Sequence, residues 1–245
     1  MTVQYVYGVA DAAVELPAPL KGIDGQEVSL VVHGRCAALV SDLAADRPLG
    51  TRDDLMGHQG VLEQVVDAGG TVLPFRFGGA LTDREAVVQE LLAPNEETFV
   101  QQLERLRGHV ELRIKARYVE DAVLREMVQE EPEIAELNQR VRELPEDAAY
   151  YDRVRLGELI AQAFTRRREQ DGQGLLDALA PRATAVAQRE LSREDDVLDA
   201  GFLIDRKERE AFEKLVEEVG EGNSGRIRLR LAGPLPPYDF VGQEA

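Results

Sequence analysis

The sequence predicts an α+β fold in two domains, and three patterns carry that prediction. The first half alternates short apolar runs with segments of helical periodicity. Two later segments, 110–118 and 226–231, alternate apolar and charged residues without a break, which is the period of a strand with one wet face. Between them, a run of helical segments is punctuated by Pro132, Pro145 and Gly172. The domains are expected at 1–107, a mixed α/β unit, and at 108–245, a modified ferredoxin-like sheet with a helical insertion and a proline-rich tail. A chain of 245 residues suits that division, at ~100–200 residues per domain.

Residues 3–8 read as a strand, followed by a loop marked by Pro17, Pro19, Gly22 and Gly25. Residues 28–33 and 36–43 read as a hairpin joined through Gly34-Arg35. Thr51 or Asp53 offers an N-cap for a helix carrying Leu55, His58, Leu62, Val65 and Val66, which stops at Gly69-Gly70. Residues 72–77 read as a strand. Pro74 marks an edge, an end or a kink there, because it has no amide hydrogen. Two helices follow, 83–93 and 95–107, parted by Pro94 with Asn95 as a cap.

After the strand at 110–118, helices are expected at 120–130, 133–144, 147–170 and 174–191. In the third, Tyr150, Val154, Gly157, Ala161 and Phe164 share one face, where Gly157 would let another backbone approach. Residues 197–204 are almost continuously apolar and read as a central strand. Asp205 and Glu208 fit a capping box ahead of a helix bearing Phe212, Leu215, Val216 and Val219, ended by Gly220. The strand at 226–231 completes a sheet in which helices replace or obscure one strand, with its first and last strands adjacent and antiparallel. The tail 234–240 suits neither a helix nor an interior strand. Tyr238 and Phe240 would pin it over the second sheet or the domain junction.

Composition narrows the function classes. Hydrophobic residues make up 44% and charged residues 31%, ordinary for a globular protein that buries a core without staples. The single cysteine, Cys36, cannot form an internal disulfide, and its apolar neighbours read as those of a buried, inert thiol. The segment Met1 to Tyr5 has no basic n-region, and the apolar stretch 28–40 is interrupted by His33, Gly34 and Arg35, short of ~18 residues, so a cytoplasmic location is expected. A net charge of −17 repels nucleic acid and anionic membranes at long range, so neither is an expected partner.

Reacting groups are not assembled in the sequence. His33, His58 and His109 are scattered, with no metal-ligand spacing to one another or to Cys36. His58 reads as structural, hydrogen-bonded to a neighbouring turn. Residues 220–225 spell G-x-G-x-x-G, but they lie between a helix and a strand. A phosphate cradle needs the reverse order, strand then helix. Arg166-Arg167-Arg168 reads as a solvated helix terminus. No enzyme, cofactor or metal site is expected.

Two segments carry a resemblance. Val72-Leu73-Pro74-Phe75-Arg76-Phe77-Gly78 follows a helix containing His58 and Glu63, and the chain closes on Gly233-Pro234-Leu235-Pro236-Pro237-Tyr238-Asp239-Phe240-Val241. Together they resemble the gas vesicle accessory family written GvpF/GvpL. The match extends through Val123-Leu124-Arg125-Glu126, Pro132-Glu133-Ile134, Gly157 and Phe202-Leu203-Ile204, so that it spans roughly Tyr5 to Val241. Gly79 stands where the family usually has Thr, and Leu235 where it usually has Trp. The resemblance implies a non-enzymatic protein that assists assembly of a gas-filled shell, in contact with its small hydrophobic shell subunit and other accessory proteins, at the gas vesicle. The alternative reading is a small-molecule-binding regulatory module on a ferredoxin-like sheet.

Candidate contact residues fall in two groups. Tyr5, Tyr7, Leu73, Phe75, Arg76 and Phe77 lie on the first strand and on the edge interrupted by Pro74, where a β-rich partner could add a strand; the alternative for Leu73, Phe75 and Phe77 is ordinary core packing. Arg113, Lys115 and Arg117 would share a sheet face with Arg226, Arg228 and Arg230. That face is either covered by the chain's own acidic helices or tail, or it docks an acidic partner, with Arg113, Arg117 and Arg228 as contacts.

Overall fold

In the computed structural model, which describes residues 2–145 and 148–242, packing separates two compact units. One runs to Leu112 and takes in Leu203–Lys207 and the chain from Ala232; the other holds Arg113–Phe202 and Glu208–Leu231.

The first unit is built on β1 (Thr2–Asp11), which is buried from Gln4 through Ala10 because it has neighbours on both sides. Antiparallel β3 (Cys36–Ala44) pairs along its length, and β2 (Ser29–His33) pairs with β3. The β2–β3 turn sets His33 opposite Cys36, with Gly34 at φ 53° as this two-residue connection requires. On the other side, β1 pairs with β4 (Val72–Pro74) and then β5 (Ala80–Leu81), so the sheet order is β2-β3-β1-β4. The strand expected over 72–77 ends at Pro74, and all three β4 residues are buried. Helix α1 (Arg52–Asp67) starts from Thr51, whose hydroxyl accepts from the Asp54 amide while Asp54 accepts from the Thr51 amide.

The two helices expected around Pro94 form one run: α2 (Arg84–Ala86), a π-helical turn (Val87–Leu92) and α3 (Ala93–Leu106). Pro94 sits at the junction where the π-helical turn passes into α3, and the helical run continues through it. Asn95 does not cap; its side chain donates to the Leu91 carbonyl at 2.8 Å, and Asp83 caps instead.

The second sheet contains β6 (His109–Tyr118), β7 (Ala185–Gln188), β8 (Asp196–Asp205) and β9 (Ile227–Leu235), in the order β7-β8-β6-β9. Helices α4 (Glu120–Glu130), α5 (Pro132–Glu143) and α6 (Tyr150–Leu179) precede β7, and α7 (Arg209–Gly222) lies between β8 and β9. This element order is the βαββαβ of a ferredoxin-like sheet. The strand expected to be missing is therefore present: β7 occupies residues assigned to a 174–191 helix, because α6 stops at Leu179 and a 3₁₀ turn holds Pro181. The expected start of α6 at Asp147 lies outside the described residues.

The strand β8 is interior as expected, and β6 alternates as read: Leu112, Ile114 and Ala116 are buried, and Arg113, Lys115 and Arg117 face outward. Three local expectations are corrected. Asp205 accepts from the Lys207 amide at 2.9 Å and Glu208 makes no side-chain cap, so no capping box forms. The strand β9 continues through Pro234 to Leu235. The α6 stripe packs only at its far end, where Phe164 meets the Tyr118 ring at 5.2 Å: Tyr150 is 62% and Val154 47% exposed, and a Cβ built on Gly157 meets nothing within 4 Å.

Candidate functional site

The segments that carry the resemblance converge on His58. Its position on the buried face of α1 turns the imidazole toward β1, where it is 3% exposed. The Tyr5 hydroxyl lies 2.9 Å from Nδ1, and the Phe75 carbonyl lies 3.1 Å from Nε2. A carbonyl only accepts, so Nε2 carries the proton and Nδ1 accepts from Tyr5. The Tyr5 oxygen accepts in turn from the Gly78 amide at 3.1 Å, and the Tyr238 hydroxyl sits 3.3 Å from Nε2. One imidazole thus fastens β1, the loop after β4 and the C-terminal tail. Tyr7 extends the cluster: its ring stacks on His58, and its hydroxyl meets Ser41 at 2.8 Å and accepts from the Ile23 amide at 2.9 Å.

Electrostatics keep these groups uncharged. Burial lowers the His58 pKa from its ordinary value, and burial pushes the Tyr5 and Tyr238 hydroxyls up to about 12. Neutral, fully engaged groups of this kind hold chain segments together. Among the described residues, no group of three or more His, Cys, Asp or Glu side chains is placed to hold a metal ion, and no helix is long and apolar enough to cross a membrane.

The second candidate is the outward face of β6. The Asp199 carboxylate of β8 takes Arg113 Nε at 2.8 Å and Nη2 at 2.7 Å, and Lys115 Nζ at 2.9 Å. Asp196 takes Arg117 Nε at 2.7 Å. Burial alone would raise both carboxyls, but the Arg113 and Lys115 bonds to Asp199, and those from Arg117 and the Arg193 amide to Asp196, outweigh it and leave both below the usual range. Arg226 turns to Asp171 and Glu126. Arg228 and Arg230 make no ion pair among the described residues. With Lys115 and Arg117 they line an open cavity of about 600 Å³.

The structure divides the sequence-predicted contact residues. Tyr5, Tyr7 and Leu73 are fully buried core residues, so the first segment offers a surface only through exposed Arg76 and the half-buried Phe75 and Phe77. Arg113 and Arg117 are engaged by aspartates, and Arg228 is exposed. The acids that neutralise Arg113, Lys115 and Arg117 come from β8 itself, whereas Arg226 is met by helix acids, Asp171 of α6 and Glu126 of α4, as the sequence suggested. Asp196 and Asp199, at the start of and within a largely apolar strand, were the available signal. The tail packs with Tyr238 at His58, Phe240 buried and its carbonyl accepting from Arg105, all inside the first unit.

Comparison with known proteins supplies the wider context. The family model described as gas vesicle synthesis protein GvpL/GvpF matches residues 3–242. A gas vesicle protein F from a Streptomyces species is 36% identical over 241 residues, covering 97% of this chain and 98% of that protein. A gas vesicle protein L from a Streptomyces species is 30% identical over 254 residues, covering 98% and 92%. The crystal structure of GvpF from an Anabaena species superposes with a TM-score of 0.87 at 27% identity, covering 100% of both chains.

Proposed function

Since this chain belongs to the gas vesicle protein family GvpL/GvpF, we propose that it acts as a non-enzymatic assembly or minor structural protein of gas vesicles. In this reading it works in the cytoplasm and at the vesicle, and binds the small hydrophobic shell subunit and other gas vesicle accessory proteins. The observation that carries the proposal is the family match over residues 3–242. The exposed part of the first contact segment, Phe75 to Phe77, is the proposed meeting point with the shell subunit; the buried Tyr5 and Tyr7 hold that segment in place. Its backbone is anchored by the Phe75 amide bonding to the Tyr7 carbonyl at 2.9 Å.

The test is a pull-down of the full chain against the purified shell subunit, alone and with the other accessory proteins. Retention of the subunit, reduced by Arg76→Glu in a protein that still folds, supports the reading. Absence of binding in both conditions overturns it.

A further inference from the structure

We propose that the outer edge of β9 docks an extended partner segment in which apolar and acidic residues alternate. The strand ends the sheet order, with β6 as its one neighbour. The Val119 amide donates to the Arg226 carbonyl at 2.9 Å. Alternate residues of an antiparallel strand bond to the same neighbour, so Arg228 and Arg230 continue toward β6. The amides and carbonyls of Leu229 and Leu231 then point away from it, and they have no backbone partner there among the described residues.

The two faces of this edge differ in chemistry. On the α7 side, Val216, Ile227, Leu229 and Leu231 line a groove of about 750 Å³, and Leu231 is 38% exposed. On the opposite side stand Arg228 and Arg230, which make no ion pair among the described residues, beside Lys115 and Arg117, which are held by Asp199 and Asp196, and with Asp195 at the rim. The register places Arg228 across from Arg117 and Arg230 across from Lys115, and residues two apart along each strand are ~6.6–6.8 Å apart. Carboxylates at alternate positions of an added strand fall at that same spacing. Glu213, Glu217 and Glu221 rim the apolar groove, which turns an incoming strand's acidic face toward the cations and its apolar face toward α7.

Charge also decides the occupant. A second copy adding through its own β9 would set arginines against arginines, and like charges directly opposite are unfavourable. A nucleic acid has no amide ladder to match the edge. Strand addition supplies main-chain hydrogen bonds for affinity and alternate side chains for specificity. The proposal is independent of the assembly role, since a peptide alone reads it out.

The test uses the full chain and fluorescein-labelled synthetic peptides of about eight residues that alternate valine with glutamate. Controls are the same composition in two blocks, lysine in place of glutamate, and polyglutamate. Fluorescence anisotropy is expected to show the alternating peptide binding at least about tenfold tighter than every control, and Arg228→Glu with Arg230→Glu removing about tenfold or more of that affinity. Leu229→Pro deletes an outward amide without taking a bond from β6, and is expected to abolish binding with thermal unfolding retained. Should that variant unfold, N-methylation of the peptide's pairing amides makes the same test on the unaltered protein. Equal binding of block peptide or polyglutamate, full binding by the N-methylated peptide, or no binding at low salt overturns the proposal.

Discussion

Tyr5 and His58, 53 residues apart in sequence, are joined by a 2.9 Å hydrogen bond whose other end reaches the Gly78 amide. That relationship makes a phenol on the central strand the support for the imidazole that gathers three distant segments.

Replacing Tyr5 by Phe keeps the ring and removes the hydroxyl. The His58 Nδ1 acceptor loses its partner in the core, while the Gly78 amide lies in an exposed residue that water reaches. A buried unsatisfied group costs about 1–3 kcal/mol, so Tyr5→Phe is expected to destabilise by about 1–3 kcal/mol in urea denaturation. A midpoint unchanged from the parent would refute the support role.

Stability is expected to fall with acid in a window set by His58. Burial holds its folded pKa below the ordinary ~6.5, so the unfolded chain takes the proton first. The contribution is complete above about pH 6.5, and is lost as pH falls from there toward the folded pKa. Asp196 and Asp199 are held below their usual range, so their loss comes later, below about pH 4. Melting temperature measured between pH 7.5 and 5 reads the first effect, and His58→Gln is expected to flatten that slope.

Gly22 is predicted to be intolerant of a methyl group. A Cβ there lies 1.9 Å from the Tyr7 hydroxyl oxygen and 2.5 Å from its ring carbon Cζ. Gly22→Ala must displace Tyr7 from Ser41 and the Ile23 amide, at a cost of about 3 kcal/mol from overpacking and lost bonds. Gly157 gives the opposite sign. It sits in α6 with open space around it, so Gly157→Ala is expected to stabilise by about 0.5–1 kcal/mol. Paired chemical denaturation of the two variants checks both.

Asp199 and Arg228 are expected to separate sharply. Asp199→Ala leaves Arg113 and Lys115 without the carboxylate they share and is expected to cost about 2–4 kcal/mol. Arg228→Glu changes an exposed residue with no ion pair and is expected to stay within about 0.5 kcal/mol of the parent. Thermal unfolding at low and high salt distinguishes them.

The strand at 110–118 was legible because one face is wet and the other dry, so the alternation of its residues is complete. The fourth strand of that sheet was not. Ala185, Val186, Ala187 and Gln188 favour a helix as readily as a strand, and their extended state depends on the neighbouring β8. Tyr5 and Tyr7 read as candidate contacts because they lie on the first strand, within the span of the resemblance. The core accepts them because His58, Ser41 and the Ile23 amide answer their polar tips. The His58 helix could be recognised, but its link to Tyr238 spans 180 residues, beyond the reach of any local pattern.

The closing tail has a consequence for biosynthesis. Tyr238 completes the cluster around His58, so a ribosome must make the chain through Tyr238 before that imidazole finds all its partners. Until then the nascent amino-terminal half carries an open seam, and its maturation is a late event even though its residues are made first.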